Sequence, residues 1–343
     1  MTGYFIRRFL LIIPTFLGIT LAAFVVMQMV PGGPVERQIL RYRMAQMGEG
    51  GGGGGGGARG VEIPAEALEE MKRYYGFDKP IPVRYAKWLW NVLHLDLGRS
   101  YVYQDPVWDV IKDRFPVSIF LGLTGFILSY LVCIPLGVIK AVKHGSKFDL
   151  GSSVIVFLGY SVPGWALGLV LLVLFGGGSF WNVFPLGKFR PDNWDYLTLF
   201  QKVYTQIYYM FLPVVCYMIA EFATLTILTK NSLMENLGQD YVRTAFAKGL
   251  NERRVIFVHA LRNSLIPLAT GFGSVFSLIL AGSFLIEKVF NIDGMGYLGY
   301  TSIQARDYPV ALGILVISSI LMLIGNIASD IVYVIVDPRI RFK

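Results

Sequence analysis

The feature that most restricts the fold is a series of long apolar runs bounded by basic or glycine- and proline-rich stretches. The first extends from Phe9 to Val30, behind Arg7 and Arg8, and Pro31 follows it. At about 1.5 Å per residue, such a run crosses roughly 30 Å of hydrocarbon. The chain is 54% hydrophobic and only 16% charged, whereas soluble domains carry about 25% charged residues. We therefore expect an all-α, polytopic membrane protein.

Six apolar runs predict six transmembrane helices. The first ends near residue 30, and the others are expected at 117–139, 150–175, 207–229, 266–287 and 310–335. We expect three regions: an N-terminal helix (1–30), a long loop (31–116) and a five-helix core (117–343) with a cytoplasmic loop at about 230–265. No A-x-A cleavage site follows the first run, so we expect it to be a retained span.

The distribution of basic residues predicts the orientation. Lysine and arginine are frequent in the 140–149 loop, in the 230–265 loop and in the C-terminal tail, and sparse in the opposite short loops. Positive loops stay in the cytoplasm, whereas loops of more than about 60 residues cross regardless of charge. Both termini are therefore expected to be cytoplasmic. The net charge of +8 lies in loops beside apolar spans and does not indicate nucleic-acid binding.

The glycine run and the two cysteines do not indicate a phosphate-binding, disulfide or metal site. The run from Gly50 to Gly57 is followed by Ala58 and Arg59, whereas a phosphate-binding loop needs Gly-Lys-Ser/Thr at the start of a helix. We expect this run to be a flexible insert. Cys133 and Cys216 fall in separate spans, which predicts small buried residues and neither a disulfide nor a metal site.

The sequence contains no pattern that indicates an enzyme. The histidines are His94, His144 and His259, and all three lie outside the spans. No H-E-x-x-H, G-x-S-x-G or Walker sequence is present, so we expect no catalytic residue and no ATP hydrolysis by this chain. An ion-coupled secondary transporter remains an alternative, as does a membrane scaffold that transports nothing.

Glu221 is the ionisable residue nearest to the middle of a span. It precedes Lys230 by nine residues, or roughly 14 Å along a helix. A carboxylate facing lipid there costs about 2.5–3.5 kcal/mol. One interpretation is a neutralised or hydrogen-bonded side chain, with Thr224 or Thr226 as its partner. The other is a position on a translocation path. Ion-coupled carriers usually hold several such residues, and Asp330 and Glu287 lie closer to the span ends.

A bend is expected within the 150–175 span. Proline removes a backbone donor, and neighbouring helices or water must satisfy the freed carbonyl. Tyr160 and Pro163 lie at this bend, which is either a packing kink or a gating hinge. With Glu221 they are our candidates for the translocation path.

The stretch between Tyr241 and Pro267 predicts a basic elbow made of two helices. Tyr241 and Ala245 stand four apart and share one helix face. Gly249 ends that helix, and Asn251 caps a second one. Pro267 opens the next span. An ordinary solvated basic loop is the alternative.

This stretch resembles the EAA loop of permease subunits of binding-protein-dependent ABC importers. Gly249, Ala245 and Pro267 stand at the places of the family glycine, second alanine and closing proline, whereas Arg243 and Thr244 replace the first two residues of the motif. Those replacements resemble the dipeptide and oligopeptide branch. The resemblance implies that the following residues couple the chain to an ATPase: Tyr241, Arg243, Thr244, Ala245, Ala247, Lys248, Gly249, Arg262, Asn263 and Pro267.

Three further stretches resemble the same family. The first outer loop carries Gly76–Pro80 and Leu95–Ser100, and the tail carries Asp337–Arg341. The loop after the fifth span carries the family pattern at Glu287, Phe290, Gly294, Gly296, Leu298, Arg306, Asp307, Tyr308 and Pro309. The glycine-rich insert and the 180–200 loop look most like the microcin C (Yej-type) branch.

The resemblance implies a permease of the type I ABC importer (MetI-like) fold in the bacterial inner membrane, importing oligopeptides or peptide-like compounds. It also implies the partners: a second homologous permease, ATPase subunits that bind ATP and Mg²⁺, and an extracytoplasmic peptide-binding protein. This chain itself is expected to bind no cofactor.

Overall fold

A computed structural model of the chain describes residues 2–29, 69, 78–177, 180–269, 271 and 283–336. The described part is helical apart from connections and two isolated bridges. Its contacts divide the chain into a larger unit (1–12, 113–298 and 317–343) and a smaller unit (13–112 and 299–316). The expected glycine-run insert, the stretch at Gly76–Phe77 and the tail signature lie outside the described residues.

The helices follow one another with short connections. In chain order they are α1 (Thr2–Met29), α2 (Ile81–Leu93), α3 (Val107–Lys112), α4 (Phe115–Val142), α5 (Lys147–Ser161), α6 (Gly164–Phe175), α7 (Leu199–Leu237), α8 (Asp240–Ala247), α9 (Glu252–Arg254), α10 (Leu261–Ser264), α11 (Ile266–Ala269), α12 (Phe284–Val289), α13 (Met295–Gln304) and α14 (Tyr308–Val336). A 3-10 turn (Trp194–Tyr196) precedes α7, and a π-helical turn (Val255–Ala260) separates α9 from α10.

The described helices account for three to five spans. Three segments are long and apolar enough to cross a membrane: Ile6–Met29, Val107–Val142 and Tyr308–Val332. Two bent pairs qualify when each pair is taken together: Lys147–Ser161 with Gly164–Phe175, and Leu199–Ile219 with Glu221–Leu237. Most of the span expected at 266–287 lies outside the described residues.

The span expected at 150–175 is two helices that meet at 96°. Pro163, which has no N–H group, is the N-cap of the second helix. Val162 before it is extended (φ −101°, ψ 118°), as the residue before a proline prefers. Gly164 follows, and a Cβ there would lie 2.8 Å from the backbone oxygen of Cys216. The bend therefore brings α6 into close contact with α7.

Close packing of α4 along α7 forms the centre of the larger unit. A Cβ added at Gly137 would lie 2.6 Å from the Cβ of Thr229, and one at Gly125 would lie 2.9 Å from the Cβ of Tyr217. Small residues let membrane helices approach in this way, because packing rather than water exclusion drives their association.

Packing of α2 against α1 organises the smaller unit. The ring of Phe24 lies 5.5 Å from that of Tyr85 and 5.6 Å from that of Trp88. The Tyr85 hydroxyl lies 3.0 Å from the Thr20 hydroxyl. Trp88 of α2 thus packs on α1, whereas Trp90 is 64% exposed.

Candidate functional site

The first half of the expected elbow ends in a glycine-specific cap. Gly249 has φ +76°, and its N–H donates to the Phe246 oxygen at 2.9 Å while the Leu250 N–H donates to the Ala245 oxygen at 3.3 Å. These two bonds form the Schellman motif, which satisfies carbonyls at a helix end and needs a left-handed residue. Asn251 then caps α9 through its side-chain oxygen. The structure thus shows the expected helix, glycine break and helix.

The second half of the elbow is not the uniform α-helix expected from the sequence. After one α turn the chain widens into the π turn Val255–Ala260. The Leu261 N–H donates to the Ile256 oxygen, five residues earlier, and both Val255 and Ala260 are fully buried. Such π turns are rare and occur often at functional sites.

One face of the elbow is anchored on the larger unit. The cluster that holds it combines residues of α4 and α7 with residues of the elbow: Val138, Ala141, Leu233, Val242, Ala245, Val255, Ile256 and Ala260. Ala245 thus lies on the packed face. Tyr241 does not share that face: it is 39% exposed, and its hydroxyl donates to the Asn236 side-chain oxygen at 2.7 Å.

The other face of the elbow is exposed and basic. It presents two aromatic rings, Phe246 (46% exposed) and Phe257 (57% exposed). Exposed on the same stretch are Arg243, Thr244, Ala247, Lys248, Gly249, Arg253, Arg254, Arg262 and Asn263. Pro267 lies half-buried in α11. The elbow therefore combines a fixed inner face with an open outer face.

Beside the elbow, Asp149 forms a buried ion cluster that the sequence analysis missed. The Lys230 ammonium lies 2.8 Å from both carboxylate oxygens, and the Lys140 ammonium lies 3.2 Å from one. The Gly145 N–H donates to the carboxylate at 3.2 Å, and the His144 ring nitrogen lies 3.3 Å from it. The Asp149 side chain is only 7% exposed.

Lys140 completes this ion cluster. Its side chain is 1% exposed, and its ammonium also donates to the Asp149 carbonyl at 3.0 Å and to the hydroxyls of Ser152 and Ser153 at 2.8 and 2.7 Å. The cluster joins the C-terminal end of α4 and the first turn of α5 to α7. From the sequence alone, Lys140 and Lys230 are only charges of the 140–149 and 230–265 loops. A signal was present, because Asp149 is the single acidic residue at 140–149 and stands at the third helical position after Ser146.

Glu287 belongs to the family signature in the loop after the fifth span, and it is the centre of a buried hydrogen-bond network. The Tyr297 N–H donates to its carboxylate at 2.6 Å, and the Tyr217 hydroxyl lies 3.3 Å from it. The Ser283 N–H in turn donates to the Tyr217 hydroxyl at 2.6 Å. A Cβ at Gly294 would lie 2.6–2.8 Å from the carboxyl atoms. The signature glycine therefore leaves room for the signature carboxylate.

Asp307 is the corresponding centre in the smaller unit. Its fully buried carboxylate accepts from the Ser100 hydroxyl, from the Tyr101 N–H at 3.0 Å and from the Val102 N–H at 3.2 Å. Two stretches that the sequence analysis noted separately, Leu95–Ser100 and Arg306–Pro309, thus meet at one carboxylate.

The remaining signature residues have packing or backbone roles. Phe290 is 5% exposed in the core beside α6, and Gly296 is buried at the start of α13. Arg306 has φ +51°, a conformation that costs a non-glycine residue about 1–2 kcal/mol. Pro309 is half-buried in the first turn of α14.

The three candidate path residues are all exposed on this subunit. Tyr160 is 62% exposed, and Glu221 and Pro163 are exposed as well. Glu221 has no hydrogen bond to either Thr224 or Thr226 in the described structure.

The other two carboxylates noted in or near spans have structural partners. Glu287 lies in its hydrogen-bond network, and Asp330 forms an ion pair with Arg8. Within the described ranges, no group of three or more His, Cys, Asp or Glu side chains is placed to hold a metal ion.

Comparison with known proteins identifies the family. The family model described as "Binding-protein-dependent transport system inner membrane component" matches residues 133–342, and a model for the N-terminal part of such membrane components matches residues 57–122.

Several curated relatives align along the full length of the chain. The "Inner membrane ABC transporter permease protein YejB" of Escherichia coli O157:H7 is 41% identical, over 100% of both chains. The "Peptidoglycan transport system permease protein YejB" of Agrobacterium fabrum is 40% identical, over 100% of this chain and 99% of the relative. The "Oligopeptide transport system permease protein AppB" of Bacillus subtilis is 35% identical, over 100% of both. The chain therefore belongs to the family of inner membrane components of binding-protein-dependent transport systems.

Proposed function

We propose that this chain is a permease subunit of an ATP-driven importer for peptides or peptide-like compounds. The support is the family, together with relatives named for peptidoglycan, oligopeptide and dipeptide transport that align over the whole chain. A second permease completes the pathway, and a binding protein outside the membrane delivers the substrate. ATPase subunits supply the energy.

The proposed topology has six spans with both termini in the cytoplasm of a bacterial cell. The three regions then are the first helix (1–30), a long extracytoplasmic loop (31–116) and the five-helix core (117–343). The charge distribution supports this orientation. It places the elbow on the side where ATP is available.

The observation that carries the proposal is the two-faced elbow. Its inner face is fixed to α4 and α7, so a force on its outer face is transmitted to two helices of the core. Its outer face offers aromatic rings within a basic surface, a composition suited to a protein interface. Nucleotide-driven closure of the ATPases would move the elbow and shift the helices between inward-open and outward-open states.

We further propose that the exposed residues Glu221, Tyr160 and Pro163 face the pathway shared with the second permease. Each lies on the surface of this subunit, which agrees with a position between two permeases. The 96° break at Pro163 gives α5 and α6 separate directions at that point.

Truncating an exposed ring of the elbow tests the coupling proposal. We expect Phe246→Ala to weaken association with the ATPase subunits roughly tenfold, as expected for an aromatic anchor at an interface, and to uncouple ATP hydrolysis from uptake. The assembled complex is purified, and subunit retention, ATPase rate and peptide uptake into proteoliposomes are measured.

The matched control is Phe200→Ala. Phe200 is 81% exposed and lies on the opposite side of the membrane in the proposed topology, so association should stay unchanged. Equal effects of the two substitutions would contradict the coupling role. Uptake that persists without ATP and collapses with an uncoupler would contradict the importer itself.

A further inference from the structure

A cleft of about 600 Å³ in the smaller unit carries an inference beyond transport. Phe24 and Gln28, in the last two turns of α1, line one side, and Lys87 and Trp88 of α2 line another. Both helical segments belong to the same unit. The cleft therefore lies at the level where the apolar run of α1 ends, near residue 29.

The lining of the cleft is strongly charged. Its basic side chains are Lys79, Arg84, Lys87 and Arg99, and its acidic ones are Asp78 and Asp96. Four cations against two anions leave it net positive. The side chains of Lys79, Lys87 and Arg99 have neither an ion pair nor a hydrogen bond with any described residue. They are therefore available to an anion, and a phosphate would offer them several acceptor oxygens.

The amide of Gln28 adds a second requirement. Its side-chain oxygen is enclosed and accepts no hydrogen bond in the described structure. An enclosed acceptor of this kind is unfavourable, and a donor from a ligand would satisfy it. Because Asp78 and Asp96 line the same cleft, a positively charged donor is favoured. The cleft thus fits a ligand that carries both a phosphate and an amine.

We propose that the cleft binds the headgroup of an amine-bearing phospholipid. Lys87 and Arg99 would hold the phosphate, and Gln28 would accept a hydrogen bond from the ammonium group. The position at the end of a membrane-spanning run favours a lipid over a dissolved ligand. In the proposed topology, that end faces the outer leaflet.

The surface beside the cleft suits the same environment. Trp90, Leu93 and Leu95, at the end of α2 and just after it, are 64%, 66% and 88% exposed. Exposed tryptophan with neighbouring apolar side chains is typical of the membrane interface. The rings of Phe24 and Trp88 give the cleft an apolar wall against which the glycerol part of the lipid can pack.

Native mass spectrometry of the assembled transporter tests this site. The complex is purified in detergent, phosphatidylethanolamine or phosphatidylglycerol is added, and bound lipid is counted. We expect Lys87→Ala to reduce bound phosphatidylethanolamine roughly fivefold, as for the loss of a charge-assisted hydrogen bond at an open site. Gln28→Met should remove the preference for phosphatidylethanolamine while phosphatidylglycerol remains bound.

The matched control is Lys112→Ala, which removes a lysine that is exposed in the same unit but outside the cleft. It should leave lipid binding unchanged. Lys87→Arg keeps the charge and should restore binding, which separates loss of the site from misfolding. Equal lipid binding by Lys87→Ala and Lys112→Ala would overturn the proposal. Displacement of the lipid by inorganic phosphate alone, or by a tripeptide, would also overturn it, because the ligand would then be a dissolved anion or the substrate.

Discussion

Gly294 shows how a signature residue follows from the geometry around it. The Glu287 carboxyl group occupies the space where a side chain would begin, and a Cβ at Gly294 would lie 2.6 Å from it. The sequence alone identifies both residues by resemblance, but not their contact. Gly294 and Glu287 meet because the chain turns between them and several hydrogen bonds form to the Glu287 carboxylate. Hydrophobic periodicity does not predict such a contact.

Glu221 is the residue at which the effect of a side-chain charge on peptide uptake can be tested. We expect Glu221→Gln to lower the uptake of a cationic peptide roughly fivefold, the effect of about 1 kcal/mol of lost attraction, and to leave the uptake of a neutral peptide unchanged. Glutamine keeps the shape of the side chain and removes only its charge. Uptake of both peptides into proteoliposomes is the measurement.

Glu235→Gln is the control for this residue, since Glu235 is exposed on the same helix near its C-terminal end. It should affect neither substrate. If Glu221→Gln reduces the uptake of both peptides equally, the residue stabilises the helix interface and does not line the path.

At the scale of elements, the Asp149 cluster is the contact most open to test. Asp149→Asn would leave Lys140 and Lys230 without a counter-charge in a largely buried place. Breaking a buried pair in this way costs about 3–5 kcal/mol, so we expect a clear drop in the unfolding temperature of the purified complex. Replacing Lys140 with Met in the Asp149→Asn background should recover part of that loss.

Asp192→Asn supplies the comparison for the ion cluster. Its partner Lys188 lies four residues away, and the two side chains are 54% and 87% exposed. Pairs of this kind contribute little to stability. An Asp149→Asn variant as stable as Asp192→Asn would show that the cluster does not hold the three helices together.

The elements differ in how far the sequence predicts them. The cap at Gly249 and the helix start at Asn251 are local, since every partner lies within five residues, and both were predicted. The π turn at 255–260 was not, because its residues Val255, Ile256 and Ala260 pack against α4 and α7, which are distant in the sequence. The Asp149 cluster was missed for a related reason: Lys230 stands 81 residues away. The bend at Pro163 was expected, but not its 96° angle.

At the scale of the whole molecule, the property to measure is which loops face the cytoplasm. Cysteines are placed at Ser146, Gln239 or Tyr196 in intact cells that are treated with an impermeant thiol reagent. We expect the first two to be protected and the third, at a residue that is 91% exposed, to react. The native cysteines, Cys133 and Cys216, are fully buried and give little background. Labelling at Gln239 would reverse the proposed topology.

The overall architecture was predicted in part. Apolar length identified the helices at Thr2–Met29, Phe115–Val142 and Tyr308–Val336, because a run that spans the hydrocarbon must be helical. Apolar length could not predict which face of α2 is covered. Trp88 and Trp90 are the same residue type, and only packing against α1 distinguishes the half-buried ring of Trp88 from the exposed ring of Trp90.

The Asp149 cluster also sets an order of events during biosynthesis. Lys140 and Asp149 are nine residues apart, so they can neutralise each other as soon as α5 begins to form. Lys230 follows 81 residues after Asp149, several seconds of synthesis at about 5–20 residues per second. Helices α4 and α5 can thus enter the membrane with Lys140 and Asp149 as a neutral pair. The arrival of α7 then adds one positive charge, and in the proposed topology this excess charge favours keeping the cluster on the cytoplasmic side.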